Sequence, residues 1–336
     1  MKFGVFIGTQ HQSGGDIARA VDEHVEQVRA IRESGFDAIW VGQHYLTYPE
    51  QFLQTTPLLA RLAAEAGEMV VGTNLLLLPL HNPVDVAEQY ATMDIIAKGR
   101  FVLGVGLGYR GVEYSVFGVD PKSRVSRFTE ALEIVKRLWT EDHVTFTGKH
   151  FHFSDVSVRP RPLQTPRPPI WIGATTDPAV KRAAVLGDAW IATSLTTLAA
   201  MKEQVALYHR TRQEAGLPPA KEFAKCVELY VAEDRQRAFQ ESAPYIMAKY
   251  RSYYAWGMAG NVPGRTGADL PMEELVKDRF IIGSPEDCIE GCLEHRDLLG
   301  VTHLIVRLNF PGMPQKNVLK TIRLFGREVI SALARR

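Results

Sequence analysis

Cysteine is scarce. Three residues in 336, Cys226, Cys288 and Cys292, are too few to staple a chain of this length with disulfides. Cys288 and Cys292 stand one helical turn apart in SPEDCIEGCLEHRD without a matching His/Cys cluster, so the sequence predicts free thiols, no disulfide and no metal site. A surplus of one charge is also missing. Lys plus Arg number 39 against 38 for Asp plus Glu, a formal +1, which predicts neither nucleic-acid nor membrane-surface binding; any anion must be bound locally. No long apolar run occurs either: Leu75–Leu80 falls far short of the roughly 20 residues that cross a bilayer. The start, MKFGVFIGTQ, has no charged lead before a long apolar segment and reads as a buried strand. Internal repeats and low-complexity tracts are absent. Together these absences predict a soluble cytoplasmic protein.

What is present is alternation. Eight short apolar runs stand at 3–8 (FGVFIG), 37–42 (DAIWVG), 69–78 (MVVGTNLLLL), 101–106 (FVLGVG), 169–173 (PIWIG), 189–192 (AWIA), 226–232 (CVELYVA) and 303–308 (HLIVRL). They are nearly continuous in apolar character, as strands buried on both faces are, rather than alternating with polar residues. Amphipathic stretches lie between them. In DIARAVDEHVEQVRAIRESG, Ile17, Val21, Val25, Val28 and Ile31 fall on one stripe before Gly35 ends the helix. GSPEDCIEGCLEHRDLLG offers Ser284 as N-cap, Pro285 at the first helical position and Gly300 as the stop. Eight strand–helix units predict an α/β fold, a single (β/α)₈ TIM barrel over residues 1–336, whose site lies at the carboxyl ends of its strands.

Two connections exceed a simple crossover. Residues 141–168 carry short strand-like runs and a proline-rich tail, and 244–280 combine Tyr245, Tyr250, Tyr253, Tyr254 and Trp256 with GNVPGRTGADLP. The second follows the seventh strand on the expected active-site face and reads as a substrate lid, or as an excursion whose aromatics pack on the barrel.

Four features can carry chemistry. His44 follows the second run directly, where an imidazole is placed for hydrogen bonding or proton transfer if it is not simply structural. His11 and His81 also lie near strand ends but have no visible partner. Gly104, Gly106 and Gly108 lack the spacing of a dinucleotide fingerprint; they serve close packing or let backbone approach a flat ring or a phosphate. Arg124 and Arg127 sit three apart at a helix start, where the dipole disfavours cations, so they point to an anionic partner or to a nearby acid. Last, PIWIGATTDPAVKRAA places Gly173, Ala174, Thr175 and Thr176 between a strand and a helix opening at Pro178, a ready phosphate cup of free N–H groups that is compatible with helix capping by Thr176 or Asp177.

The blocks SGFDAIWVGQHY, LPLHNPVDVAEQYATMDIIAKGRFVLGVGLGYR, FGVDPKSRVSRFTEALEIVKRLWTEDHVTFTGKHFHF and RPRPLQTPRPPIWIGATTDPAVKRAA closely resemble the bacterial luciferase-like flavin monooxygenases over essentially the whole chain. The resemblance implies FMN, used in its reduced form and delivered by an NAD(P)H-dependent flavin reductase, and oxygenation of a small organic substrate with dioxygen. His44 matches the family's active-site histidine. Asn74 and Leu75 match a bulge with a non-prolyl cis peptide under the flavin ring. Leu107 and Tyr109 match the loop beside the flavin tail, and Arg124, Gly173, Ala174, Thr175 and Thr176 match the phosphate-binding positions. A homodimer through helices on the early side of the barrel is likewise implied. Gln43 and Leu107 stand where luciferase itself has an acid and an arginine, and its reactive cysteine near the flavin has no counterpart here, which argues against light emission and a long-chain aldehyde. A deazaflavin-dependent hydride-transfer enzyme on the same fold is the alternative, and a non-catalytic flavin-binding subunit is the reading of another class.

Overall fold

The computed structural model describes residues 1–258 and 271–335. Each of the eight apolar runs contains or overlaps one parallel strand: β1 (Lys2–Ile7), β2 (Ala38–Val41), β3 (Val70–Thr73), β4 (Phe101–Gly106), β5 (Ile170–Ala174), β6 (Ala189–Ala192), β7 (Phe223–Val231) and β8 (His303–Arg307). Each strand pairs with the next, and β8 returns to β1 with Lys2 opposite His303 and Gly4 opposite Ile305. The sheet is therefore closed and has no edge. Around it run α1 (Ile17–Glu33), α2 (Thr55–Ala63), α3 (Pro83–Ile96), α4 (Gly111–Val116), α5 (Arg124–Thr140), α6 (Asp177–Leu186), α7 (Leu198–Glu214), α8 (Arg235–Ala255), α9 (Met272–Val276), α10 (Pro285–Leu299) and α11 (Gln315–Leu324). The architecture is the (β/α)₈ barrel that the eight runs predict.

Both faces of the strands are apolar for different reasons. Phe6, Trp40, Val102, Trp171, Ile191 and Ile305 point inward and fill the barrel. Trp40 and Trp171 stack there with centroids 5.1 Å apart. Two indoles fit because Gly4 and Gly72 face Trp40; a Cβ at either would come within 2.4 Å or 2.3 Å of its ring. The alternate residues, among them Val5, Ile39, Val71, Leu103, Ile172 and Trp190, point outward into the larger core between sheet and helices. Each fully buried side chain of this kind contributes about 1.5–3 kcal/mol.

The helix boundaries follow their capping chemistry. Asp16 accepts from Arg19 N at the start of α1, Val25, Val28 and Ile31 are buried, and Gly35 takes φ +80° just past the end. In α10, Ser284 and Asp287 form a capping box and Gly300 closes the helix in the left-handed conformation. Residues 141–168 contain an antiparallel hairpin, Val144–Thr147 against His152–Val156. The aromatic part of the expected lid is not a loop: up to Ala255 it continues α8, with Pro244 inside the helix, and Tyr250, Tyr253 and Tyr254 are buried. Residues 259–270, which hold most of the Gly/Pro-rich stretch, lie outside the described residues. Among the described residues no helix is long and apolar enough to cross a membrane, and the three cysteines are free.

Candidate active site

The carboxyl ends of the strands converge on His44. Just beyond β2, its side chain is 13% exposed and is ringed by Phe52, Trp256, Tyr109 and Tyr253, with centroids 5.4, 5.5, 5.7 and 6.0 Å away. Burial raises the pKa of both Tyr109 and Tyr253, so the phenols stay neutral.

His44 Nδ1 lies 3.1 Å from Glu113 Oε1. Glu113 comes from α4 and is fully buried. The same oxygen accepts from Tyr45 N at 2.9 Å and from Arg110 Nη1 at 3.3 Å. Arg110, itself buried, also donates to the carbonyls of Tyr45 and Leu46 and lies 4.5 Å over the Trp256 ring. A carboxylate only accepts, so the Nδ1 position carries the proton and Nε2 is the nitrogen left for other partners. The sequence contained the signal: an arginine and a glutamate at i, i+3 in GYRGVEY, immediately after the fourth strand. It went unread because their partner stands some 70 residues earlier.

The peptide between Asn74 and Leu75 is cis, as the resemblance implies. Leu76 and Leu77 then pair with Val105 and Gly106 of β4. Gln43 pins this bulge from β2: its Oε1 accepts from Leu77 N at 3.0 Å and faces His81 Nε2 at 2.9 Å, while its amide donates to Tyr45 at 2.9 Å. His81 therefore has a partner, and so does His11, whose Nε2 is 3.1 Å from that of His24. Gly106 and Gly173 flank the Leu75 side chain; a Cβ at either would meet Leu75 at 2.8 Å or 2.1 Å. Of the two explanations for small residues here, close packing accounts for both positions. A cysteine does reach the bulge: Asn74 Nδ2 stands 3.1 Å from Cys226 Sγ. Burial pushes that thiol above its ordinary pKa, so it is not the low-pKa thiol of a reactive site.

At the other side of the mouth, Leu107 is half-buried and its carbonyl accepts from the Tyr114 hydroxyl. Ala174 is buried, and Thr175 and Thr176 are exposed at the start of α6. Thr176 is the N-cap residue, but its side chain makes no capping bond, so its hydroxyl is free for another partner. Gln204 holds the turn through Thr175 O at 2.9 Å and Asp177 Oδ1 at 3.3 Å. Arg124 is exposed and bonded only to Pro121 O, at 2.8 Å, with no ion pair among the described residues. Its charge reaches α6: burial, and then the charge of Arg124, lower the Arg182 guanidinium from its ordinary pKa. Arg182 Nε is buried without a partner. Arg127 does not join them. It turns to Pro79 O at 2.7 Å and packs on Phe151, which answers its helix-start position without an anion or an acid.

A third group was not anticipated. Cys226 and Glu228 of β7, Arg307 of β8 and Lys249 of α8 meet inside the mouth. Glu228 is ion-paired with Lys249 and accepts from Tyr250 OH at 2.7 Å and Ser194 Oγ at 3.2 Å. Burial pushes its carboxyl up, but Lys249 and Arg307 together bring it down to about 2. The signal in CVELYVA and HLIVRL was a charged residue near the end of an apolar strand, which needs a buried partner or an inward-facing site. A larger cavity, about 740 Å³, opens at the opposite end, where Lys2, Asp37, Arg100, Asp188 and His303 mark the starts of the strands. That end of a barrel serves stability.

The chain was compared with known proteins. The family described as luciferase-like monooxygenase matches residues 1–303. A 4-hydroxyprotoasukamycin monooxygenase from Streptomyces nodosus subsp. asukaensis is 27% identical over 324 residues, covering 89% of this chain and 83% of that protein. An F420-dependent glucose-6-phosphate dehydrogenase from Amycolatopsis mediterranei is 25% identical over 307 residues, covering 88% and 90%. Among solved structures, the monooxygenase RslO1 from Streptomyces bottropensis superposes with a TM-score of 0.87 at 24% identity, covering 99% of this chain and 100% of that one. That last likeness speaks for the fold.

Proposed function

The chain belongs to the luciferase-like monooxygenase family, and from that premise we propose that it is a two-component monooxygenase. A separate NAD(P)H-dependent reductase supplies reduced FMN, and this chain oxygenates a small organic substrate with dioxygen. The observation that carries the reading is the pairing, at one barrel mouth, of His44 backed by a buried carboxylate with an amide-rich, cationic turn at α6.

The residues present fit such a cofactor. The orphaned Arg182 Nε, the uncapped Thr176 hydroxyl and the free charge of Arg124 suit a phosphate, together with the first N–H groups of α6 and the turn through Gly173, Ala174 and Thr175. Leu75 at the cis bulge, Leu107 and Tyr109 would hold the ring and tail. When bound, the flavin supplies the redox chemistry. This chain's own part is binding, orientation, exclusion of water and the placing of one proton. Glu113 fixes the imidazole through Nδ1, and Nε2 is the atom that gives or takes a proton at the reacting group. Tyr253 and Trp256, at the end of α8, cover His44 and keep water from it, which is the lid function assigned to 244–280. A homodimer through helices on the early side of the barrel completes the proposal.

A hydride-transfer enzyme using a deazaflavin is the second reading. The His44–Glu113 pair favours it, because oxidation of an alcohol needs a base for the hydroxyl proton. Anaerobic titrations with reduced FMN and with the deazaflavin separate the two, followed by admission of oxygen and assay for substrate-dependent oxygen uptake. Binding of the deazaflavin alone overturns the monooxygenase proposal. Binding of FMN with neither uptake nor turnover makes the chain a flavin-binding subunit.

A further inference from the structure

Between the ends of β1 and β8, under α8, lies a narrow cleft of about 10 Å³, walled by Phe6, Phe52 and Tyr253 and reached by Lys249, Arg307 and the β1 end at Thr9 and Gln10. That volume is roughly what one water, or one oxygen of a head group, occupies. Its polar lining is only partly satisfied: Arg307 shares a side-chain hydrogen bond with Tyr253 and lies 4.0 Å over the Phe6 ring, and Lys249 is paired with Glu228. Arg307 is buried, yet its Nε has no partner, and its nearest carboxylate oxygen, on Glu228, is 3.7 Å from Nη1, beyond hydrogen-bond reach. Thr9 Oγ1 and Gln10 Oε1 are buried and equally without partners. A hydroxyl can donate, and a glutamine amide can turn its nitrogen to do so. Orphaned buried donors at a mouth are costly unless something fills them.

The charges do not balance either. Lys249 and Arg307 face one carboxylate, Glu228. Their other titratable neighbours, Cys226, Tyr250 and Tyr253, are kept neutral by burial. The cluster carries at most one positive charge in excess, and the full charge only when Lys249 is protonated; a singly charged anion matches that form and a dianion overshoots it.

We propose that Arg307 and Lys249, with the Thr9 hydroxyl and the Gln10 amide, form a subsite for the carboxylate of an organic substrate. The cleft admits one carboxylate oxygen, which meets the unpartnered Nε of Arg307 in a charge-assisted hydrogen bond. The attached carbon skeleton lies outside it, where Phe52 and Tyr253 favour a ring or an unsaturated chain. Phe52 and Tyr253, which wall the cleft, also touch His44, at 5.4 and 6.0 Å. A molecule anchored by its carboxylate thus has its remaining part directed toward that histidine. Burial and the charge of Arg307 lower Lys249 to about 7, and an incoming anion would favour its charged form. The inference rests on the reading of this mouth as the active site.

The test uses the full chain, with and without FMN, and two probes: benzoate and its neutral analogue benzamide, titrated by calorimetry. Wild type is expected to favour benzoate by about tenfold or more, as a charge-assisted hydrogen bond in a buried cleft implies. Arg307→Gln brings the two probes to within about twofold, and Lys249→Met does so in part, with circular dichroism confirming that each variant is folded. Equal binding of the probes to wild type, which requires no variant, overturns the proposal, as does a benzoate preference that survives in a folded Arg307→Gln. Loss of FMN binding in Arg307→Gln overturns it too, because the cations then serve the cofactor. A benzoate preference that depends on Arg307 in a chain that fails to bind FMN upholds the subsite and sinks the flavin reading.

Discussion

Removing the carboxylate of Glu113 tests the centre of the site. Its side chain and that of Arg110 are 1% and 6% exposed, so Glu113→Ala leaves a buried guanidinium without its counter-ion. Breaking a buried pair from one side costs about 3–5 kcal/mol. Because Arg110 keeps the carbonyls of Tyr45 and Leu46, the lower end applies, about 3 kcal/mol. For a chain of this length that is a fall in Tm of about 4 °C. Glu113→Gln is gentler. Its carbonyl can take the place of Oε1 and accept the same three hydrogen bonds, and its amide nitrogen falls where Oε2 now has no partner. The charge is lost but the shape is kept, at about 1–2 kcal/mol. Both variants should lower kcat, by on the order of 10² for alanine and less for glutamine, with flavin affinity unchanged. Differential scanning calorimetry and steady-state turnover give the two readouts. A Glu113→Ala protein with wild-type Tm and wild-type kcat would refute the claim that this carboxylate orients His44.

Four further outcomes are expected. Arg124 is exposed and, among the described residues, bonded only to Pro121 O, so Arg124→Ala should leave stability within about 0.5 kcal/mol of wild type while weakening FMN binding by about tenfold, read by quenching of flavin fluorescence. Gly173→Ala pushes a Cβ to 2.1 Å from Leu75; overpacking of about 1–3 kcal/mol and weaker FMN binding should appear together, whereas an unchanged Tm would show that Leu75 yields freely. Burial lowers His81 to about 4, and since the unfolded chain protonates near 6.5, stability is fully present above that pH and is lost as pH falls from 6.5 toward 4; His81→Gln should flatten this limb of a Tm-against-pH profile. Glu228, brought down to about 2 against burial by Lys249 and Arg307, holds stability above its unfolded pKa that disappears between about 4.5 and 2, and in Glu228→Gln, whose loss should destabilise the fold at neutral pH, the acid transition should shrink.

Much of the fold was legible because its signals are local. Continuous apolar runs such as AWIA and FVLGVG announce strands covered on both faces, and Ser284–Pro285 or Gly35 mark helix ends by chemistry confined to one turn. The length of α8 was misread for the same reason: Pro244 and five aromatics within 244–256 suggested a loop, but Ala238, Ile246 and Tyr250 pack against the barrel, and that packing outweighs the local break. His44 and the pair Thr175–Thr176 could be placed because each lies just past a strand, with Gly173 and Ala174 forming the end of β5.

The sequence by itself determined the order of strands and helices, the closed barrel that eight such units make, and the end at which the candidate site is expected, since period and capping are properties of neighbouring residues. Only the tertiary structure decided the partners. It joined His44 to Glu113 and Asn74 to Cys226, set Leu75 into the space left by Gly106 and Gly173, and left Arg307 between Glu228 and an orphaned cleft. Those pairings span from about 30 to about 150 positions of chain, and they are fixed by the shared curvature of a closed sheet, which brings the ends of distant strands within hydrogen-bond reach.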